Sequence, residues 1–250
     1  MQRDRQDWVW LFGLWAVLIA IGEFLVFGLD LLPGQYAREA EVVDEAYIYL
    51  MAVSVPVFAL VAAALLTSFL RFRTKVVGPD GPTEDGPPLH THPKFLRGWL
   101  AVTGLLALSV TINPGFVGLS DLRGESSADL VVEVTAQRWS WSFTYENGAT
   151  TTKELVLPVD QRVRFDVTAL DIVHSFWVPA FRTKIDAVPG RVHELYVTPD
   201  REGEFEDDPA NIRVQCAEIC GVGHGRMEVP VRIVTEDEFE AWVTDLAEGA

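Results

Sequence analysis

The chain contains 250 residues, of which 49% are hydrophobic and 22% charged, and its formal net charge at pH 7 is −16. This acidic balance argues against nucleic acid as a partner, because phosphate backbones are bound by basic surfaces. The apolar residues are concentrated in the first half of the chain. Their distribution argues against one large soluble domain. It favours a membrane anchor, residues 1–120, followed by a polar domain, residues 121–250.

Three apolar segments precede the polar half, and each is near or above the roughly 20 residues that a bilayer-spanning helix needs. They cover residues 8–32, 46–70 and 95–119, and the third carries Asn113 and Pro114 near its end. The first segment follows a short basic start, so a cleaved signal peptide is an alternative, although the apolar run is longer than the roughly 7–15 residues of a signal core. We therefore expect two or three transmembrane helices.

The distribution of Lys and Arg predicts the orientation of these helices, because cytoplasmic loops carry an excess of basic residues. Residues 71–97 hold five of them, whereas residues 33–45 hold only Arg38. The basic stretches should be cytoplasmic, which makes this a multi-pass protein of the cell membrane with its polar half on the extracytoplasmic side. Within the irregular stretch 76–93 lie two histidines that we expect to be solvated rather than metal-bound, His90 and His92.

Beyond Ser120 the sequence changes to short runs rich in Val, Thr and aromatic residues, separated by Asn-Gly, Pro-Gly or Pro-Asp. Strands at this spacing, without intervening helices, predict an antiparallel sandwich or small barrel. The ending EDEFEAWVTDLAE predicts a short amphipathic helix. Residues 121–250 hold 25 acidic and 12 basic side chains, which would steer a cationic partner towards this half of the chain. A proteome that is acidic throughout, as in salt-loving organisms, is the other explanation.

One loop carries the candidate chemistry. It reads QCAEICGVGHGRM, residues 215–227, and contains the two cysteines of the chain. A disulfide between Cys216 and Cys220 is one interpretation, since disulfides persist outside the cytoplasm. The three glycines of the loop free the backbone to wrap around a small object, which brings His224 and Met227 within reach. Thiolate, imidazole and thioether are soft donors that suit copper, whereas zinc would leave Met227 unused.

A second imidazole is available upstream, in LDIVHSFWVPAF, where His174 could equally be a packed core residue. This segment is followed by RTKIDAVPGR and preceded by AQRWSWSFTY and ELVLPVDQRV. Together with CAEICGVGHGRM, these phrases resemble subunit II of the haem–copper cytochrome c oxidases over about residues 46–245. The resemblance implies N-terminal transmembrane α-helices followed by an all-β, cupredoxin-like Greek-key barrel that holds a dinuclear copper centre, CuA.

The family pattern also implies the ligands of that centre. Two cysteine sulfurs bridge both coppers, two histidines supply one terminal nitrogen each, and a methionine and a backbone carbonyl are weaker axial donors. The matching positions are Cys216, Cys220, His174, His224, Met227 and Glu218. In relatives the carboxylate of this glutamate also reaches a magnesium ion at the interface with the catalytic subunit. Bridging thiolates in a rigid barrel suit fast one-electron transfer.

The resemblance assigns residues outside the loop as well. The tryptophan that aligns with Trp139 is the surface point at which electrons arrive from the donor, although alternating aromatic residues in a strand usually face a core. Relatives often have tyrosine at the position of Ser140. Many have a glutamate of a proton path where this chain has Leu96, so that role is not expected here. Arg182 and Asp186 match a family segment near the subunit boundary, with a plain surface salt bridge as the alternative.

The implied function is that of a membrane-anchored subunit of a proton-translocating terminal oxidase, whose catalytic centre lies in another chain. This subunit would pass electrons through CuA to haem in subunit I, where oxygen is reduced to water, and further subunits are expected. Because the chain has no C-x-x-C-H haem-attachment motif, the donor would be separate, either a cytochrome c or a blue-copper protein. The full ligand set argues against quinol. The alternatives are the CuA subunit of a nitric-oxide reductase and, in another class, a non-catalytic copper carrier.

Overall fold

The computed structural model describes residues 2–29, 31–72, 92–123 and 127–249. They form two compact units, each with its own set of internal contacts. The first unit comprises Met1–Leu31 and Glu45–Leu119, and the second comprises Leu32–Asp44 and Ser120–Ala250.

Long apolar helices make up the first unit: α1, Gln2–Gly28, most of α2, Arg38–Arg71, and α3, Pro93–Val110. A π-helical turn, Thr111–Phe116, separates α3 from α4, Val117–Arg123. Asn113 interrupts the helical backbone within that turn, with φ −134° and ψ 116°, because the ring of a following proline disfavours the helical conformation. By length and composition, three stretches of the described helices could cross a membrane: Arg5–Gly28, Arg38–Arg71 and Pro93–Arg123.

Helices α1 and α2 run antiparallel and are joined along their length. An ion pair of 2.8 Å between Asp7 and Arg71 links the start of α1 to the end of α2, and Trp15 Nε1 donates to the backbone carbonyl of Pro56 at 2.9 Å. Gly22 allows close approach, because a Cβ at this position would lie 2.6 Å from Val55 Cγ1.

Most of the predicted irregular stretch 76–93, including His90, lies outside the described residues. His92 is described and is exposed. Its Nδ1 accepts a hydrogen bond from the backbone N–H of Phe95 at 3.1 Å, so the side chain caps the start of α3.

Eleven strands form the second unit within its described residues, arranged in two sheets. In chain order they are β1, Leu130–Gln137; β2, Ser140–Tyr145; β3, Thr150–Thr151; β4, Leu155–Pro158; β5, Val163–Ala169; β6, His174–Trp177; β7, Lys184–Ala187; β8, His193–Val197; β9, Gly203–Glu204; β10, Arg213–Cys216; and β11, Glu228–Val234. One sheet has the order β3-β2-β1-β5-β8, and the other has the order β4-β11-β10-β6-β7 with β9 beside β11.

Two strand pairs, β1 with β5 and β4 with β11, are parallel. The predicted antiparallel pairing is wrong for these two pairs and right for the others. A parallel pair needs a crossover connection. Between β1 and β5 the chain provides one by passing through β4 of the opposite sheet.

The core lies between the two sheets. Alternate residues of β1, β2 and β5 are buried, as the sequence pattern predicts. Trp141 of β2 packs edge-on against Phe176 of β6, with ring centroids 5.8 Å apart, and Phe165 of β5 lies 5.0 Å from Phe176. The core is continuous from one sheet to the other, and it is against this core that the ligand-bearing strands are placed.

Helix α5, Glu236–Glu248, confirms the predicted C-terminal helix. Thr235 caps its first turn by accepting a hydrogen bond from the backbone N–H of Glu238. Phe239 is buried, and its ring centroid lies 5.8 Å from that of Tyr145 in β2.

Residues 32–44 pack with the strands, which the sequence did not indicate. Ala37 bridges to Pro199. The buried carboxylate of Glu39 accepts hydrogen bonds from the backbone N–H of Thr198 at 2.8 Å and from Arg162 Nη1 at 3.3 Å. The start of α2 therefore belongs structurally to the β-rich unit.

Candidate metal centre

Two adjacent strands supply the first ligand candidates. β6 begins at His174 and pairs with β10, with Phe176 opposite Cys216. The His174 side chain is fully buried, and its Nδ1 lies 3.8 Å from Cys216 Sγ. Sheet pairing thus brings together an imidazole and a thiol that are 42 residues apart in the chain.

The loop between β10 and β11 brings the remaining candidates to the same place. Cys220 Sγ lies 3.8 Å from Cys216 Sγ, 3.6 Å from His224 Nδ1 and 3.9 Å from Met227 Sδ. Cys216 Sγ lies 3.1 Å from the backbone carbonyl oxygen of Glu218. The ligand atoms of the central group all lie within 4.8 Å of one another, and that group comprises His174, Cys216 and Cys220.

The two cysteines are free thiols. Their sulfurs are 3.8 Å apart, far beyond the roughly 2.05 Å of a disulfide bond, so the disulfide interpretation is not supported. Burial, together with the neighbouring Cys216, raises the pKa of the Cys220 thiol to about 11. The sulfur therefore keeps its proton at neutral pH until a metal ion displaces it.

The three glycines of the loop have different roles. Gly221 has a φ of +109°, a conformation that residues with a Cβ rarely adopt. Gly223 is needed for space, because a Cβ there would lie 2.3 Å from Cδ2 of Trp139. Nothing lies within 4 Å of the corresponding position at Gly225. The predicted freedom of the backbone is used at only the first of the three.

Two tryptophans form hydrogen bonds with the backbone of the loop. Trp139, which is 44% exposed, donates from Nε1 to the backbone carbonyl of Cys220 at 3.1 Å. Trp141 is fully buried and donates from Nε1 to the backbone carbonyl of Met227 at 3.3 Å. The general expectation that alternating aromatics face a core holds for Trp141, whereas Trp139 faces outwards. The sequence did not indicate that Trp141 supports the loop.

Asp171 is a further residue of the site that the sequence analysis missed. Its Oδ1 lies 3.0 Å from Nε2 of His174, and its Oδ2 accepts from both the backbone N–H of Arg138 at 3.0 Å and Nε of Arg138 at 2.9 Å. Burial raises the pKa of this carboxyl, but the hydrogen bonds from His174, Arg138 and the backbone outweigh it and lower the pKa well below the usual range. The available signal was an aspartate three residues before the candidate histidine.

An ionised carboxylate can only accept a hydrogen bond, so Nε2 of His174 carries the proton and Nδ1 presents its lone pair towards Cys216. Its neighbours thus hold His174 with Nδ1 towards the sulfur cluster.

The remaining predicted residues differ in their relation to the sulfur cluster. Glu218 contributes its carbonyl to the cluster, whereas its side chain is exposed. Arg182 forms a 2.8 Å ion pair with Asp44, and both side chains are nearly buried, so it pairs within its own unit. Asp186 is exposed, and its backbone carbonyl accepts from His193 Nδ1 at 2.7 Å. Leu96 is an exposed residue in the first turn of α3.

The donor set fits copper. Two thiols, two imidazoles and a thioether are soft ligands, and a tetrahedral zinc site would leave one of these donors unused. The cluster is consistent with a copper site of the CuA type. A β domain carrying such a cluster, attached to apolar helices, defines a class of membrane-anchored copper electron-transfer proteins.

Comparison with known proteins narrows this class. The family described as "Cytochrome C oxidase subunit II, periplasmic domain" matches residues 148–234. A cytochrome c oxidase subunit 2 from Thermostichus vulcanus is 26% identical over 287 residues, which cover 94% of this chain and 84% of the relative. One from Alkalihalophilus pseudofirmus is 30% identical over 203 residues, and 57% of its length is covered.

Among solved structures, the periplasmic domain of subunit II of cytochrome oxidase from Bradyrhizobium japonicum is 31% identical. The match covers 49% of this chain and 96% of that domain, with a TM-score of 0.45. The chain belongs to the cytochrome c oxidase subunit II family, whose members are the subunits through which electrons enter haem–copper oxidases. Its β domain is the cupredoxin-like domain of that family, and the chain is part of a haem–copper oxidase complex.

Proposed function

We propose that this chain receives single electrons from a separate carrier and delivers them, through a dinuclear copper centre, to haem in the catalytic subunit of an oxygen-reducing oxidase. The observation that carries this proposal is the pair of free sulfurs 3.8 Å apart, surrounded by imidazole, thioether and carbonyl donors. When bound, the two copper ions would supply a one-electron relay whose charge is shared between both metals.

The side chains have distinct roles in this proposal. Cys216 and Cys220 would bridge the metals, and His174 and His224 would each supply a nitrogen. Met227 and the carbonyl of Glu218 would be the weaker donors. Met227 is 1% exposed and Cys220 is likewise 1% exposed, so these donors are kept from water, which limits reorganisation around the centre.

Trp139 is proposed as the residue at which electrons arrive. Its ring lies over the ligand loop, because a Cβ at Gly221 would lie 3.5 Å from the ring and its indole N–H bonds the carbonyl of Cys220. The loop presents two exposed apolar side chains, Ile219 at 75% and Val222 at 92%. A cytochrome c or a small blue-copper protein could dock on such a surface and place its cofactor near this indole.

A magnesium ion is proposed at the boundary with the catalytic subunit, bound in part by the exposed carboxylate of Glu218. The support is that the backbone carbonyl of Glu218 contacts the sulfur cluster while the residue is exposed, so that one residue can serve two metals. Glu218→Gln should lower the manganese or magnesium content of the purified oxidase while leaving the copper content unchanged.

We propose that all three long helices span the membrane and that the β domain is extracytoplasmic. The proposal is supported by the ion pair between Asp7 and Arg71, which joins the start of α1 to the end of α2, and by the basic residues near both, which are expected on the cytoplasmic face. The contacts of α1 with α2 favour a retained helix over a cleaved signal. Protease added to intact spheroplasts should digest the β domain and leave the segment between α2 and α3 protected.

Electron paramagnetic resonance of the copper-loaded full-length chain tests the central proposal. A mixed-valence hyperfine pattern from two equivalent copper nuclei is expected, and Cys216→Ser should abolish it. A pattern from a single copper nucleus, or the survival of the two-copper pattern in Cys216→Ser, would contradict the bridging roles. Oxygen consumption by the purified complex, in preference to nitric-oxide consumption, distinguishes the oxidase from the reductase alternative.

A further inference from the structure

The carboxylate of Asp171 joins two parts of the site that are distant in sequence. One oxygen faces Nε2 of His174 at 3.0 Å and accepts from the backbone N–H of Ile172 at 2.8 Å. The other oxygen accepts two hydrogen bonds from Arg138, one from the backbone and one from the guanidinium. Both oxygens of Asp171 are therefore engaged by protein groups.

Arg138 directly precedes Trp139, the proposed arrival point for electrons. Its backbone N–H and its side chain both bind Asp171, so the turn between β1 and β2 is fixed by the same carboxylate that orients His174. The side chain of Arg138 is 52% exposed and that of Asp171 is 17% exposed. A charged pair with one partially solvated member can be altered without removing any residue from the core.

The charges of Asp171 and Arg138 should shift the redox potential of the copper centre in opposite directions. A carboxylate that accepts a hydrogen bond from an imidazole increases the electron donation of the other ring nitrogen to a metal, which favours the oxidised state. A cation bound to the same carboxylate withdraws part of that negative charge. Arg138 should therefore oppose Asp171, and the potential of the centre should depend on the balance between the two.

We propose that Arg138 and Asp171 act as one positioning unit, in which Asp171 orients and polarises His174 and Arg138 moderates that effect while fixing the turn that carries Trp139. This inference rests on the proposed copper centre. Neither residue is a metal ligand, and Arg138 acts on the centre only through Asp171.

Midpoint potentials of the copper-loaded full-length chain provide the test. Asp171→Asn keeps an acceptor near His174 but removes the charge, so the potential should rise and copper affinity should fall by roughly tenfold, the lower end of what altered outer-shell partners cost. Arg138→Gln can still donate a hydrogen bond but loses the positive charge, so the potential should fall. The double variant should match Asp171→Asn, because Arg138 then has no carboxylate to moderate.

A matched control is available on β5, where Arg164 and Asp166 form an ion pair of 2.9 Å with similar exposure, 31% and 21%. Asp166→Asn should leave the potential unchanged. Electron–nuclear double resonance adds a second readout, since Arg138→Gln should change the nitrogen coupling of one histidine and not of the other. Circular dichroism of each metal-free variant checks that the fold is retained.

The outcomes separate the two proposals. If the native chain shows no two-copper signal, the proposed function fails. If the signal is present but neither single variant shifts the potential, the positioning unit is overturned. Additive shifts in the double variant would also overturn it, because they would mean that Arg138 acts by its own field. If Asp171→Asn fails to fold, the proposal still requires that Arg138→Gln lower the potential and change the nitrogen coupling of one histidine.

Discussion

The candidate metal centre is assembled from two regions that are held in different ways. His174 and Cys216 lie at the ends of paired strands, and their positions follow from the sheet and the core behind it. Residues 217–227 form an irregular loop whose position depends on a few contacts, chiefly those of Trp139 and Trp141. The strand half is therefore as stable as the domain itself, whereas the loop half depends on individual side chains.

The difference matters for electron transfer. A relay works best when its ligands move little between oxidation states, and strands buried in a packed core provide that rigidity. The loop reaches the surface, where Ile219 and Val222 are exposed and where we propose that a donor docks. The strand half of the centre thus provides rigidity, and the loop half provides an exposed surface.

Replacing Trp141 with alanine should have the largest effect, because this side chain is part of both regions. It is fully buried between the sheets and also bonds the carbonyl of Met227. The loss should be about 3–5 kcal/mol of unfolding free energy. Trp139→Ala removes a side chain that is 44% exposed and should cost about 1–2 kcal/mol. Urea unfolding of the metal-free protein measures both losses of unfolding free energy. Equal losses for the two variants would contradict the difference between the strand half and the loop half.

The second prediction concerns Gly223, which lies against the ring of Trp139. A methyl group there would overlap Cδ2 of Trp139, so Gly223→Ala should cost about 1–3 kcal/mol and displace either the ring or the loop. Gly225→Ala is the matched control, because nothing lies within 4 Å of its Cβ position. Indole fluorescence and the optical spectrum of the copper-loaded protein should change for the first variant alone. Identical behaviour of both would show that the loop adapts freely.

The sequence predicted the candidate ligands of both halves but not the residues that support them. The residues whose ligand atoms meet were all named from their chemical types and spacing: His174, Cys216, Glu218, Cys220, His224 and Met227. The supports of the centre were not. Asp171 lies only three residues from His174, but an aspartate at that spacing does not by itself indicate a bond, and Arg138 and Trp141 act through hydrogen bonds across 33 or more residues. Such bonds leave no periodic pattern and become visible only when the strands are paired.

The same reason explains what was missed in the fold. Alternating burial in β1 and β5 was predictable from residue types, but their parallel pairing depends on which sheet the intervening strands join. The incorporation of residues 32–44 depends on the match of Glu39 with Thr198 and Arg162. The local sequence pattern predicts the strands themselves. Which distant segments pair with them depends on complementary side chains and backbone groups.

Removal of copper should affect the strand half and the loop half differently, without any mutation. The core of the β domain includes residues from both sheets, and the candidate ligands Cys216, Cys220 and Met227 are only three of its many buried side chains. The metal-free protein should therefore keep its β-sheet circular dichroism. Amide hydrogen exchange should increase in residues 217–227 and stay slow in β1 and β5, because local opening follows local contacts. Equal acceleration in the strands and the loop would mean that the metal holds the whole domain together.

Trp139→Phe should have the smallest structural effect and the most selective functional one. Phenylalanine keeps an aromatic ring near Gly221 and Gly223 but loses the hydrogen bond to Cys220, worth about 1 kcal/mol. The copper spectrum should be almost unchanged, because Trp139 supplies no ligand. The rate of reduction by the donor should nevertheless fall by roughly tenfold or more, about 1.4 kcal/mol in activation free energy, if electrons arrive through this indole.

Trp242→Phe is the matched control for that experiment. Trp242 is also partly buried, and its Nε1 donates to Glu154 at 3.1 Å, but it lies on α5 and makes no contact with the ligand loop among the described interactions. Stopped-flow reduction of the copper-loaded chain should be slowed by Trp139→Phe and unaffected by Trp242→Phe. If both variants are reduced at the native rate, the exposed half of the centre accepts electrons directly, and Trp139 serves only to hold the loop in place.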